Sequence, residues 1–394
     1  MSVLEQREYK SFREMFILDK HLSFINIIVF LILQLSLWHG GLAKILPLFM
    51  IELWNPLQMM STLWIIILFI IKNRMPNKVS AILIGMKLFV SAVAILNMHI
   101  VDIVELCRYI ALILAIDYFT EYFIQLVKVL MLIFEVLVYF NLYDLLHTEK
   151  NIDGVFFSAL GYDNDFTKYM LCACFIALLY NLITTKKIRS MALIIGCHIT
   201  IFYAGIGTGI AALVAMDIVL MIRILKIGNT TVLQSFVVYL CAEFLIVIAR
   251  IQNLFSYIIV DLLGKDLTFT GRTDVWDKSI NRIFDHILIG HGDMDQMTEY
   301  LILGDVYCHN GFLELLFRGG IIHLMLFIAV IIIIDKTTKK NLDRYTISIC
   351  SSIFWGIWVT TMTESIYHFG VVMMIPALLY VACRYVKQNN ADYL

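Results

Sequence analysis

The sequence predicts an all-α polytopic membrane protein with about twelve transmembrane helices and one large extracytoplasmic loop carrying short helices. Three observations lead there. Of 394 residues, 61% are hydrophobic and only 15% charged, whereas soluble proteins carry roughly 25% charged residues. Most segments are apolar all round, in runs long enough to cross about 30 Å of hydrocarbon. Lys and Arg are concentrated in alternate connections between those runs, as the positive-inside rule describes.

The same numbers limit what the chain does. A net charge of −1 offers no basic surface for nucleic acid. Only four prolines and no Pro/Gly/Ser-rich linker make residues 1–394 one integral membrane domain. The first apolar run has no small-residue cleavage site after it, so it reads as a retained span and not as a removed signal peptide. Of the eight cysteines, all but Cys308 lie in apolar runs without a Cys-x-x-Cys pair, and read as buried free thiols.

Taken in order, spans are expected near 22–38, 52–71, 79–98, 103–119, 124–146, 167–184, 190–204, 207–224, 232–258, 315–334, 345–363 and 368–385. Before the second, HGGLAKILPLFMIELWNP is broken by Lys44, Pro47 and Pro56 and reads as a re-entrant or interfacial piece. One set of connections holds eighteen Lys and Arg residues, among them Lys72, Arg74, Lys186, Lys187, Lys339 and Arg344; the opposite set holds eight. This bias places both termini in the cytoplasm and residues 259–314, the one long connection, outside it.

That loop has a pattern of its own. Trp276, Ile280, Ile283 and Ile287 share helical spacing, with Thr273 as a cap and Asp274 in the first turn, which predicts an amphipathic helix on the membrane surface. Arg272 just precedes its first turn. A guanidinium beside free helical N–H groups suits an anion, although a solvated surface arginine is the ordinary alternative. ILIGHGD is a turn in which Gly290 and Gly292 permit backbone closed to other residues. His286, His291, His309, Asp293 and Asp295 have no compact ligand spacing, so neither a metal nor another cofactor is expected. The loop ends in VYCHNGFLELLFRGG, where His309 and Asn310 precede a span and Glu314 and Arg318, four apart, can pair on one face. Gly319 and Gly320 let that helix bend or pack closely. Arg250 falls inside the ninth span, where a charge marks a partner or a pathway; Glu243 is its nearest acid on that span.

Together GRTDVWDKSI, ILIGHG and CHNGFLELLFRGGIIHLMLFI resemble the O-antigen polymerase and ligase family, whose large outer loop carries an Arg-x-x-x-Trp element, a Gly-x-Gly turn and a His-Asn pair just before a Gly-containing span. These are Arg272 with Trp276, Gly290 with Gly292, and His309 with Asn310. Upstream, LGYDNDFTKYM resembles the family's Gly-x-x-Asn start of a span, giving Gly161 and Asn164. The resemblance covers about residues 155–335. One departure stands out: the family's basic residue at the outer turn after the seventh span is absent from YAGIGTGIAALVAM, and Arg250 or Arg318 would have to replace it.

The resemblance implies glycosyl transfer from a polyprenyl-diphosphate-linked oligosaccharide to a sugar hydroxyl at the outer face of the bilayer, without a metal. It implies Arg272 on the diphosphate, His309 as general base, and Asn310, Arg250, Arg318, Glu314, Trp276 and Asn164 around the substrate. A flippase and a chain-length regulator are the expected protein partners. Polymerase is favoured over ligase. The alternative from another class is a multi-pass transporter; it should show two six-span halves, and no such repeat is visible.

Overall fold

The computed structural model describes residues 37, 47–151, 154–184, 186–255, 271–367 and 370–391. The expected first span and residues 256–270 of the loop lie outside the described residues, apart from Leu37. The helices are α1 (Leu48–Ile71), α2 (Lys78–Leu96), α3 (Ile103–Tyr118), α4 (Phe123–His147), α5 (Asp163–Ile183), α6 (Lys187–Ala204), α7 (Gly207–Ile224), α8 (Val232–Glu243), α9 (Arg272–Asp285), α10 (Gln296–Leu303), α11 (Gly311–Asn341), α12 (Arg344–Thr361) and α13 (Gly370–Ala391). Two short strands, β1 (Phe157–Ser158) and β2 (Gly161–Tyr162), form a hairpin before α5.

Polar residues at the connections set the helix ends. Asn77, Asp102, Asp295, Asn310 and Asp343 each accept backbone N–H groups at a helix start, and Thr231 with Gln234 forms a capping box on α8. Gly205 closes α6 at φ 73, a left-handed conformation that glycine adopts freely. Pro56, expected to break the chain, lies inside α1, which runs on through it.

Among the described residues, eight helical stretches are long and apolar enough to cross a membrane. One of them, Ile103–His147, joins the expected fourth and fifth spans through the 3-10 turn Phe119–Tyr122. The expected ninth span, by contrast, is shorter than its apolar run. Helix α8 passes into a π turn over Phe244–Ile248 and then a 3-10 turn over Ile251–Phe255.

Helices α5 and α13 form the centre. Their 18-residue apolar windows are 89% and 78% buried, against 28% for α7 and 33% for α1. Helix α5 is packed by α4, α6, α12 and α13, and α13 by α3, α5 and α11. On the outward faces, Met191, Ile195, Ile199 and Phe202 of α6 and Val214, Ile218 and Met221 of α7 are exposed at helical spacing. Such continuous apolar stripes suit contact with lipid rather than water.

The long loop is locked to the bundle through a break in α11. Gly320 has φ 60 and ψ −161, so the helix is interrupted there. An unbroken helix would give the N–H groups of Ile321 and Ile322 to the carbonyls of Phe317 and Arg318. Instead they go to the carbonyls of Ile287 and Leu288 at 2.9 and 3.3 Å, while the N–H groups of His291 and Gly292 reach Phe317 and Arg318, both at 2.8 Å. These four backbone groups are thereby satisfied by the segment around the Gly-x-Gly turn, the condition for irregular backbone near a membrane. The turn admits no side chain. A Cβ on Gly290 would lie 2.5 Å from the backbone of Arg318, and one on Gly292 2.2 Å from that of Ala94, each at positive φ.

Helix α9 corrects the expectation of a surface-lying element. It starts at Arg272, after Gly271 at φ 83 and with no Thr273 cap, so Arg272 is its first residue. Its apolar face is turned onto protein: Trp276 and Ile283 pack with Leu303 of α10, Cys308 of the connection that follows it, and Leu313 and Phe317 at the start of α11. Ile287 lies past its end and is exposed.

Candidate functional site

His309 sits at φ 48, a left-handed conformation uncommon outside glycine but reached more often by His, Asn and Asp. Four hydrogen bonds fix it. The Trp276 indole N–H donates to the His309 carbonyl at 3.1 Å. Asn310, fully buried, caps α11 through the N–H of Leu313 at 2.9 Å. The Asn310 amide also donates to Glu243 at 2.9 Å and to the Met362 carbonyl at 3.1 Å.

The imidazole lies between two carboxylates. Its Nε2 is 3.1 Å from Asp305 Oδ1, and its Nδ1 is 3.7 Å from Glu364 Oε2. The other oxygen of Glu364 accepts from Arg272 Nη2 at 2.6 Å. Burial disfavours the charged imidazole, but Glu364 and Asp305 outweigh it, and the net effect raises the His309 pKa above its ordinary value.

His309, Asp305 and Glu364 face a cavity of about 340 Å³, with Arg272 behind Glu364. One wall is the start of α5, with Tyr162, Asn164, Asp165 and Lys168. A second is the loop, with Gln296, Asp305, Tyr307 and His309, and a third is the turn after α12, with Glu364 and Ser365. Lys168 is almost wholly buried and bound to Asp165 Oδ1 at 2.6 Å. The cavity wall is therefore rich in carboxylate, amide, hydroxyl and aromatic groups, the side chains that bond sugar hydroxyls and stack on sugar rings.

The structure thus brings His309, Arg272 and Asn164 to one place, Arg272 through Glu364. It keeps the other singled-out residues behind that place. Trp276 and Asn310 hold the His309 backbone. Arg250, at φ 52, binds Asp277 at 2.5 Å and the Thr273 carbonyl at 3.3 Å, with its guanidinium 5.5 Å from the centre of the Trp276 ring. It pairs with α9 and not with Glu243. Arg318 is buried among Asp293 at 2.7 Å, Glu299 at 3.0 Å and Glu314 at 3.4 Å. Asp293 also binds Lys87 at 2.7 Å; burial alone would favour its neutral form, but the two cations hold it below the usual carboxylate range. Neither Arg250 nor Arg318 lines the cavity, so neither takes the place of the absent basic residue. The turn that lacks it does adjoin the site: Thr208 meets Thr363 hydroxyl to hydroxyl at 3.0 Å, and a Cβ on Gly209 would touch the Thr167 hydroxyl. The cation beside that turn in the cavity wall is Lys168.

The histidines and acids outside the cavity are also placed. His291 stacks on Phe317, with Nε2 2.9 Å from the Arg282 carbonyl, and Asp295 caps α10. Among the described residues, no three His, Cys, Asp or Glu side chains converge on a common point that could hold a metal ion.

Glu364, Asp305 and Lys168 are the site residues that sequence reading passed over. Asp305 precedes His309 by four residues and stands just ahead of VYCHNG. Glu364, in TMTESIYHFG, is a carboxylate in the turn between the last two spans, on the side that charge alternation places outside. Lys168 counted only as one of the few positive charges on that side.

Residues 169–328 match the family model described as O-antigen ligase (Wzy_C). No curated protein matches the chain. The matched stretch runs from α5 into α11 and holds Arg272, Trp276, Gly290, Gly292, His309 and Asn310, while Asn164, Lys168 and Glu364 lie outside it. Members of this family are membrane glycosyltransferase-like enzymes. The loop elements of the matched stretch converge at one end of a bundle with helices long and apolar enough to cross a membrane, and over residues 169–328 the chain is similar to the O-antigen ligase family.

Proposed function

We propose that the protein polymerises oligosaccharide repeat units carried on a polyprenyl diphosphate, at the outer face of the bacterial cytoplasmic membrane. In this reading the chain has twelve spans, both termini in the cytoplasm, and residues 259–314 outside as the loop that completes the site. The observation that supports it best is the cavity in which His309, flanked by Glu364 and Asp305, faces Asn164 and Lys168.

The chemistry needs few parts. The acceptor hydroxyl oxygen forms a bond to the anomeric carbon of the donor glycan. The bond from that carbon to the diphosphate oxygen breaks, and the polyprenyl diphosphate leaves with the electron pair. The hydroxyl proton passes to neutral His309, acting as general base. Fixed cations, Arg272 and Lys168, stabilise the charge that grows on the leaving diphosphate. Asn164, Tyr162 and Tyr307 bond and stack on the sugars. Trp276, Asn310, Arg250, Glu314 and Arg318 hold the frame rather than the substrate. A flippase that delivers the lipid-linked unit and a regulator of chain length are the partners this reaction requires.

A ligase that hands finished polymer to another acceptor would use the same bond changes. The glycan profile of a strain lacking the protein separates the two. Single repeat units on the carrier or at the surface support the polymerase; full-length polymer left on the carrier supports the ligase. An unchanged profile removes both.

A further inference from the structure

Arg272 and His309 are 37 residues apart in sequence, yet one carboxylate reaches both. Glu364 places Oε1 2.6 Å from Arg272 Nη2 and Oε2 3.7 Å from His309 Nδ1. Its side chain is 12% exposed, whereas that of Asp305, on the other side of the imidazole, is 38% exposed. Both carboxylates line the cavity, but the Glu364 side of the ring is the more enclosed and the Asp305 side the more open.

The turn that carries Glu364 is fixed from several directions. The Thr363 hydroxyl meets that of Thr208 at the start of α7 at 3.0 Å. The Met362 carbonyl accepts from Asn310, the residue next to His309, at 3.1 Å. The N–H of Glu364 itself closes on the Thr360 carbonyl at 3.0 Å. Asn310 thus ties the backbone beside His309 to the backbone beside Glu364, and Arg272 holds the carboxylate from α9. An incidental surface ion pair would have none of these supports.

We propose that Glu364 is the positioning residue of this site: held by Arg272, it keeps the proton of neutral His309 on Nδ1, so that Nε2 turns to the cavity and receives the proton of the acceptor hydroxyl. Asp305 occupies the exchangeable side and gives way to that hydroxyl. The inference rests on the reading of His309 as general base. It assigns a role to a residue outside the family-matched stretch.

The test uses the full-length protein in lipid nanodiscs with 15N-labelled histidine, the His309 signal being identified by its loss in His309→Gln. The charged groups that face His309 are Glu364, Asp305, Arg272 and, farther off, Glu299, with Lys168 and Asp165 across the cavity. Of these, Glu364→Gln changes only one. The expected result is a lower titration midpoint for His309 and loss of the single Nδ1–H tautomer. Polymer made in host-strain membranes carrying the same variant should fall about 100-fold, the cost of misplacing a reacting group. Glu364→Asp should recover part of the polymer. A role in stability alone would leave midpoint and tautomer unchanged.

Wild-type titration or wild-type polymer in Glu364→Gln overturns the proposal. Should that variant not reach the membrane, Glu364→Asp carries the test, because it keeps the charge but withdraws the carboxylate by one methylene. Wild-type values in that variant overturn the proposal as well. If His309→Gln itself makes normal polymer, the general-base reading fails; if it is inactive while Glu364→Gln is not, only the role of Glu364 falls.

Discussion

Two clusters of charge lie nine residues apart along the same stretch, and they are built to opposite ends. Arg318 is sealed among Asp293, Glu299 and Glu314, with its side chain 8% exposed. His309 stands beside a cavity of about 340 Å³, with one carboxylate on its enclosed side and one on its open side. In the sequence both look alike, a basic residue near acids at the mouth of a span. The difference is in what remains free to meet a substrate. Around Arg318 the acids take up the guanidinium and the cluster pins the loop onto α11. Around His309 the partners leave a face open.

That contrast can be broken most sharply at Arg318. Arg318→Ala would leave the buried carboxylates of Glu299 and Glu314 without their cation, with only Asp293 still paired to Lys87, a change that costs about 3–5 kcal/mol where a buried pair loses one member. The expected outcome is a protein that unfolds at lower temperature in nanodiscs and accumulates poorly in membranes. Normal abundance and melting would place the cluster among the functional groups instead.

His309→Gln should do the reverse. Abundance and melting stay near wild type, while polymer falls about 10²–10⁴-fold, the range for loss of a general base. A folded variant with a full glycan ladder would remove His309 from the chemistry.

The junction between the two clusters is the Gly-x-Gly turn. Gly292→Ala forces a Cβ into the backbone of Ala94 at 2.2 Å and holds alanine at φ 85. A destabilisation of at least about 1–3 kcal/mol is expected from the strained φ alone, read as a fall in melting temperature. Because the turn supplies the hydrogen bonds missing from the broken α11, faster amide exchange at Ile321 and Ile322 should accompany it.

A smaller effect is expected from pH. A general base acts in its neutral form, so polymer formation should rise with pH as His309 loses its proton. Glu364 and Asp305 raise the pKa of His309, which puts that rise above the ordinary imidazole value of about 6.5. Asp305→Asn removes one of the two carboxylates and should move the rise to lower pH. The sign for stability is the opposite. The raised pKa contributes stability that is complete below the ordinary imidazole range and is lost as pH climbs through the folded-state value. A rise that stays in place in Asp305→Asn would remove that carboxylate as a partner of the imidazole.

Much of this was legible in the sequence because membrane helices are governed by composition over short stretches. Expected bounds such as 207–224 and 103–119 meet Gly207–Ile224 and Ile103–Tyr118 almost residue for residue. Gly290, Gly292 and Gly320 could be singled out because only glycine takes up those conformations or such close contacts. What stayed hidden depends on the third dimension. Whether the Trp276 stripe faces lipid or protein depends on α10 and α11 folding against it, and a periodic pattern reads the same in both cases. Glu364 is 55 residues from His309 in sequence, and only the turn after α12 brings it to the imidazole. Arg250 and Arg318 were attractive because a charge near a span is costly, but cost alone does not distinguish a cation that binds substrate from one that binds the protein's own acids.

The most direct measurement is the glycan ladder of a host strain in which the only copy of the protein carries His309→Gln at wild-type abundance in the membrane, set beside one carrying Arg250→Gln. Loss of polymer with His309→Gln, and a ladder largely kept with Arg250→Gln, is the expected result. A full ladder with His309→Gln, or equal loss in both, would contradict the claim that the cavity beside His309 is where the sugars are joined.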